Sequence, residues 1–219
     1  MQGKAQGGSG PAAAPDGGHR GPADPAREGG GRRVREVDDL TLARAQRGER
    51  DALHALVEHY QDVVFAYLGR MLLAERDRAA VEDLAQDTLV RVVQRLPDFQ
   101  IGGAARLSTW ILTIATNLAL DELRRRRRRR AVDPADLVAA ERERPDRVAA
   151  RREQVRVLLA AVAALPAEHR AAFLLREAHG MAYEEIARAL GVELGTVKSR
   201  LARARSALRD ALDPHGERG

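Results

Sequence analysis

An all-α protein of two small helical domains joined by a flexible charged linker, the second holding a helix-turn-helix, is what three features of the 219-residue sequence predict. Aromatic side chains are only 3% of the chain and no run alternates apolar with polar residues, which disfavours sheet. Apolar residues recur instead at spacings of three and four, the period of a helix with one buried face. That periodicity lapses once in mid-chain, across a charge-rich stretch with Pro134 and Pro145, and 219 residues suffice for two small domains.

Taken in order, residues 1–37 combine Gly, Pro, Ala, Arg and Asp with almost no large apolar side chain, and are expected to form a disordered tail. Residues 38–128 form the first domain. Leu53, Leu56, Val57, Tyr60, Val63, Val64, Tyr67, Leu68 and Met71 share one helical face. Val81, Leu84, Ala85, Thr88, Leu89, Val92 and Leu96 make a second stripe ended by Pro97. A third runs from Trp110 through Ile111, Ile114, Leu118 and Leu123, with Trp110 expected in the core. Seven arginines, Arg124 to Arg130, lead into a linker at 129–154. Residues 155–212 resume the helical period from Val155, Leu158, Leu159 and Val162, with a new start at Pro166, and 213–219 form a short disordered end.

Composition removes several classes of function. There is no cysteine, so structural disulfides, thiolate metal sites and thiol chemistry are out. No apolar run approaches the length of a membrane span and the N-terminus lacks the apolar centre of a signal peptide, so no membrane insertion is expected and a cytoplasmic location fits. The six histidines are scattered without ligand spacing, and the tail glycines neither follow a strand nor precede a helix carrying Lys-Ser/Thr. No metal, no cofactor and no enzymatic activity are therefore expected. The net charge of +5 admits a polyanionic partner.

The segment from Met181 to Arg205 is the most informative. Tyr183, Ile186, Ala187 and Leu190 line one face of a helix, Gly191 stands where a left-handed residue would end it, and Val197, Leu201, Ala204 and Leu208 line the next. Ser199 and Arg203 then point away from the apolar stripe, with Lys198 and Arg200 on opposite flanks, a polar face that could enter a major groove. The alternative is a helical hairpin with a solvated basic face. Glu184 and Glu185 at the start of the first helix complement its macrodipole.

The words Ala164-Leu-Pro-Ala-Glu-His-Arg-Ala-Ala-Phe-Leu-Leu-Arg-Glu, Met181-Ala-Tyr-Glu-Glu-Ile-Ala and Gly195-Thr-Val-Lys-Ser-Arg-Leu resemble domain four of the extracytoplasmic-function sigma factors of bacterial RNA polymerase. Upstream, Glu82-Asp-Leu-Ala-Gln-Asp-Thr-Leu-Val-Arg-Val resembles that family's core-binding helix, and Ser108 through Arg125 its promoter-melting helix. The resemblance implies a specificity subunit that binds the polymerase core at the beta-prime clamp and beta flap, binds promoter DNA, and answers to an anti-sigma factor. It assigns Asp83, Gln86 and Asp87 to the core, Asn117, Arg124 and Arg125 to the minus-ten element, and Thr196, Lys198, Ser199, Arg200 and Arg203 to the minus-thirty-five element. From spacing alone Asp83, Gln86 and Asp87 would equally suit a solvated face. Residues 99–109 resemble the loop that captures a flipped minus-ten base, but the loop is about two residues longer than is usual and lacks the common acidic residue. Thr116 stands where relatives often carry Arg. The rival reading is a free-standing helix-turn-helix regulator, which explains only the C-terminal half.

Overall fold

A computed structural model describes residues 34–132 and 149–212; the expected tail up to residue 33, the middle of the linker and the residues after 212 lie outside the described residues. Among those residues every regular element is helical.

Helix α1 (Asp39–Gln46) begins behind Asp38, whose carboxylate accepts from the Thr41 backbone N–H at 2.9 Å, a side-chain cap on an otherwise orphaned donor. Gly48, at φ +80°, turns the chain into α2 (Arg50–Met71). The long stripe expected there is real: Leu56, Tyr60, Val64, Tyr67, Leu68 and Met71 are buried, with Ala52 as an added member. Helix α3 (Arg78–Arg95) is capped by Asp77, which accepts from Ala80 N–H at 3.0 Å, and buries Val81, Leu84, Ala85, Thr88 and Val92 against α2. A single 3-10 turn with Pro97 ends it. The amide of Gln46 donates to the carbonyls of Leu96 and Phe99 at 2.9 and 2.6 Å, tying α1 to that turn.

Helix α4 (Leu107–Val132) completes the first domain through Leu107, Ile111, Leu112, Ala115, Leu118 and Ala119. Trp110 is only half-buried and packs on Phe99 with ring centroids 5.3 Å apart. Thr116 is fully buried, in hydrogen-bond contact with the Tyr67 hydroxyl at 2.6 Å.

Two domain boundaries shift. Residues 34–37, assigned to the tail, dock on the first domain: Glu36 accepts from Tyr60 Oη at 2.9 Å and from the Ser108 N–H and hydroxyl at 3.1 and 2.5 Å, and lies 3.3 Å from Arg106. A lone acid in a weakly apolar stretch gives periodicity nothing to find, but a carboxylate meeting several donors is well held. The linker also narrows, because α4 runs on to Val132 and α5 (Ala149–Ala164) starts six residues before Val155.

The second domain stacks α5, α6 (Ala167–Phe173), a π-helical turn (Leu174–Ala178), α7 (Tyr183–Leu190) and α8 (Leu194–Leu212) around Val162, Ala171, Leu175, Ile186, Val197, Leu201 and Ala204. Arg170 is buried at its centre and donates to the carbonyls of Ala163, Leu165 and, across the domain boundary, Met71. The two domains lie against each other, with α2 and α4 contacting α5, α6 and α7. His179 packs edge-on to Tyr67 at 5.5 Å; burial, with Arg70 nearby, pushes its imidazole down to about 4 and keeps it neutral. The Thr109 hydroxyl donates to Glu185 at 3.3 Å, and Arg124 lies 3.9 Å from Glu168.

Candidate nucleic-acid and partner interfaces

Helix α7 ends at Gly191, φ +62°, where the Val192 N–H returns to the Ala187 carbonyl at 3.0 Å. Three residues later α8 begins, which is helix-turn-helix geometry. Val197, Leu201, Ala204 and Leu208 are buried as their spacing requires, whereas on α7 the buried pair is Ile186 and Ala189, with Tyr183, Ala187 and Leu190 partly buried. Lys198, Ser199 and Arg203 are exposed, and Thr196 and Arg200 half-buried, so all five candidates keep atoms in solvent. The Ser199 hydroxyl donates to the Thr196 carbonyl at 2.9 Å, leaving its lone pairs to accept. Among the described residues Lys198, Arg200 and Arg203 have no acidic partner, whereas Arg205 pairs with Glu177 at 2.7 Å. Glu185 has a use beyond the macrodipole: its carboxylate accepts from the Ala182 N–H at 2.7 Å, capping α7.

On α4, Asn117, Asp121, Arg124 and Arg128 share one exposed face, four and three residues apart. Arg124 reaches Asp121 at 3.0 Å and Arg125 reaches Glu122 at 2.7 Å, so two of the three minus-ten candidates already hold a carboxylate. Arg126 lies between Glu122 at 2.6 Å, Asp77 at 2.8 Å and Glu75 at 3.8 Å, while Arg130 meets Glu75 at 2.5 Å. Arg126 holds the Asp77 carboxyl below its usual range together with the Ala80 N–H, the larger cause. Arg127, Arg128 and Arg129 are exposed and form no ion pair among the described residues.

On α3, Asp83, Gln86 and Asp87 are all exposed on one face. Sequence reasoning missed Val90, which is 54% exposed and continues that face one turn further. Its signal was the spacing of three from Asp87 combined with a position outside the apolar stripe. An apolar residue beside two unpaired carboxylates suits a protein interface, where an uncharged centre is flanked by polar groups. The loop from Gln100 to Ala104 is exposed and turns at Gly102, φ +72°, with the Gly103 N–H donating to Gln100 O at 3.1 Å. A Cβ at Gly103 would stand 3.0 Å from that same oxygen. Among the described residues no three His, Asp or Glu side chains converge as metal ligands, and no helix is long and apolar enough to cross a membrane.

Residues 56–129 match the Sigma-70 region 2 family and residues 156–208 the Sigma-70 region 4 family. The chain is 39% identical over 163 residues to the ECF RNA polymerase sigma factor SigE of Mycolicibacterium smegmatis, a match that covers 73% of this chain and 61% of that relative. It is 32% identical over 194 residues to the RNA polymerase sigma-H factor of Pseudomonas aeruginosa, covering 83% of this chain and 96% of that one. CnrH in complex with the cytosolic domain of CnrY is similar in structure, with a TM-score of 0.56, 26% identity, and 81% and 97% of the two chains covered. The sigma factor RpoE, solved with the anti-sigma factor NepR from Bartonella quintana, shares the fold at 24% identity and a TM-score of 0.56, covering 73% of this chain and 95% of that one.

Proposed function

The chain belongs to the sigma-70 family of RNA polymerase sigma factors, in its extracytoplasmic-function group, and we propose that it binds the polymerase core, recognises the minus-ten and minus-thirty-five promoter elements and starts transcription without catalysis of its own. The observation that carries this reading is the unpaired, exposed cationic face of α8, present in the same chain as the unpaired acidic face of α3. Lys198, Arg200 and Arg203 supply phosphate and base-edge contacts in a major groove. Asp83, Gln86, Asp87 and Val90 dock on the beta-prime clamp, and the second domain meets the beta flap. Asn117, with the cations of α4 beside it, holds one strand of the opened minus-ten DNA. Capture of an unstacked base then offsets the few kcal/mol of taking it out of the duplex. Such work belongs in the cytoplasm.

The two promoter elements are centred about 25 base pairs apart, about 85 Å along a duplex at 3.4 Å per pair. Two domains joined by Arg170 to the Met71 carbonyl, His179 to Tyr67 and Glu185 to Thr109 do not span that distance. Promoter engagement therefore separates them, and an anti-sigma factor would act by holding them together.

The test is transcription with purified core polymerase on a genomic fragment library, with start sites mapped. Initiation from a discrete set of promoters, dependent on this chain and on core, is expected. An operator-binding regulator would neither bind core nor initiate.

A further inference from the structure

Helix α4 starts without a cap of its own. Its first turn follows Arg106, whose carbonyl accepts from the Trp110 N–H at 3.0 Å but whose side chain has no oxygen to offer the free N–H groups of the helix start. The acceptor comes from Glu36, 72 residues away in the chain, which takes the Ser108 N–H at 3.1 Å and the Ser108 hydroxyl at 2.5 Å. The same carboxylate lies 3.3 Å from the Arg106 guanidinium, which also donates to the Val34 carbonyl at 3.4 Å. Helix α2 holds Glu36 and its neighbours in turn. The buried Tyr60 hydroxyl donates to Glu36 at 2.9 Å and accepts from the Val37 N–H at 3.3 Å, while His59 Nε2 meets the Arg35 carbonyl at 2.7 Å. All of these groups belong to the first domain, so separating the two domains leaves the arrangement intact.

These contacts close the exposed loop from Gln100 to Ala104, whose other end is pinned where the Gln46 amide donates to the Phe99 carbonyl at 2.6 Å. We propose that Glu36 is a positioning residue for minus-ten recognition: it fixes the closing end of this loop and the first turn of α4, and through them the place where an unstacked base is held. The proposal rests on the loop and α4 being the part that reads the minus-ten element. Glu36 acts through Arg106 and Ser108 and needs no contact with DNA. Its charge suits both tasks, because a carboxylate complements the positive end of a long helix and binds a guanidinium more strongly than a neutral acceptor does. Without it the buried Ser108 N–H loses its acceptor and Arg106 loses its anion, so the loop end is freed. A loop freed at one end still meets DNA, but it holds the preferred base less well and separates it less sharply from the others.

The experiment measures initiation by the full chain with purified core polymerase on one of its mapped promoters, and on versions carrying single-base substitutions in the minus-ten or the minus-thirty-five element. The readout is the ratio of initiation on the original promoter to that on each substituted one. Glu36→Ala should lower the minus-ten ratio by roughly fivefold, the scale of a lost helix cap, and leave the minus-thirty-five ratio and core affinity as in the wild type. Glu36→Gln should fall between the two, since its amide oxygen still accepts from the Ser108 N–H but carries no charge for Arg106. A mere loss of folded protein lowers initiation on every promoter alike and moves neither ratio, which separates positioning from stability. An unchanged minus-ten ratio in a Glu36→Ala chain that circular dichroism shows to be folded, or an equal fall in both ratios, overturns the proposal while leaving the loop and α4 as the minus-ten reader. If Glu36→Ala does not fold, Glu36→Gln decides by the same two ratios. Wild-type initiation indifferent to every minus-ten substitution overturns both the proposal and the reading on which it rests.

Discussion

The arginines closing α4 outnumber the free cations of α8, yet most of them are already spoken for. Arg124, Arg125, Arg126 and Arg130 meet Asp121, Glu122, Glu75, Asp77 and Glu168, and only Arg127, Arg128 and Arg129 are left without an ion pair among the described residues. On α8 the proportion is reversed: Arg205 is paired, and Lys198, Arg200, Arg203 and Arg209 have no ion pair among the described residues. The charge a polyanion meets is the unpaired part, so a run of arginines can be largely a structural element, and on the function we propose the separated cations of α8 would form the stronger DNA contact. The acidic face of α3 follows the same rule, with Asp83 and Asp87 exposed and unpaired.

The largest effect expected from this contrast is on stability. Arg126 is 19% exposed among carboxylates that are themselves mostly buried, Glu122 at 12% and Glu75 at 7%. Arg126→Ala leaves Glu122 to Arg125 and Glu75 to Arg130 and takes away the cation they share with Asp77, so it should cost about 2–3 kcal/mol in urea unfolding, since removing one member of a largely buried charge network costs more than the pair is worth. A loss below about 0.5 kcal/mol would place Arg126 among ordinary surface pairs.

Next comes the acidic face. Reversal of Asp83 and Asp87 to Lys should weaken core-polymerase association by about 2 kcal/mol, read by pull-down and competition, with helix content unchanged because both side chains are exposed. Val90→Ala tests the apolar extension of that face in the same assay. Wild-type retention of the double variant would refute the clamp assignment.

The smallest effects set the two basic surfaces side by side. Arg203→Ala or Lys198→Ala should each cost about 1–3 kcal/mol in promoter affinity where the side chain is bidentate to a base, less for a phosphate. Arg127→Ala and Arg128→Ala should cost less than about 1 kcal/mol apiece, without change of promoter choice, and lower the salt slope by about one each. Equal losses on the two helices would mean that pairing does not set the hierarchy.

Periodicity by itself determined the helices, the apolar stripes of α2, α3 and α8, and the turn at Gly191, because a helix face repeats along the sequence at a fixed interval. Motif order assigned α3, α4 and α8 the roles proposed for them for the same reason, each motif being contiguous along one helix. The surface candidates were legible too, since a residue outside an apolar stripe faces solvent.

Only the tertiary structure decided which charges remain free, because ion pairing joins residues such as Arg130 and Glu75 that lie far apart in the chain. It decided that Thr116 is a core hydroxyl bonded to Tyr67 and that Glu36 belongs to the first domain. It also brought the two domains into contact through Arg170 and His179, residues that read in sequence as one basic side chain in a motif and one scattered histidine. Local repetition carries information about the faces of a helix; which faces meet depends on the path of the chain between them, and no spacing within a single element encodes that.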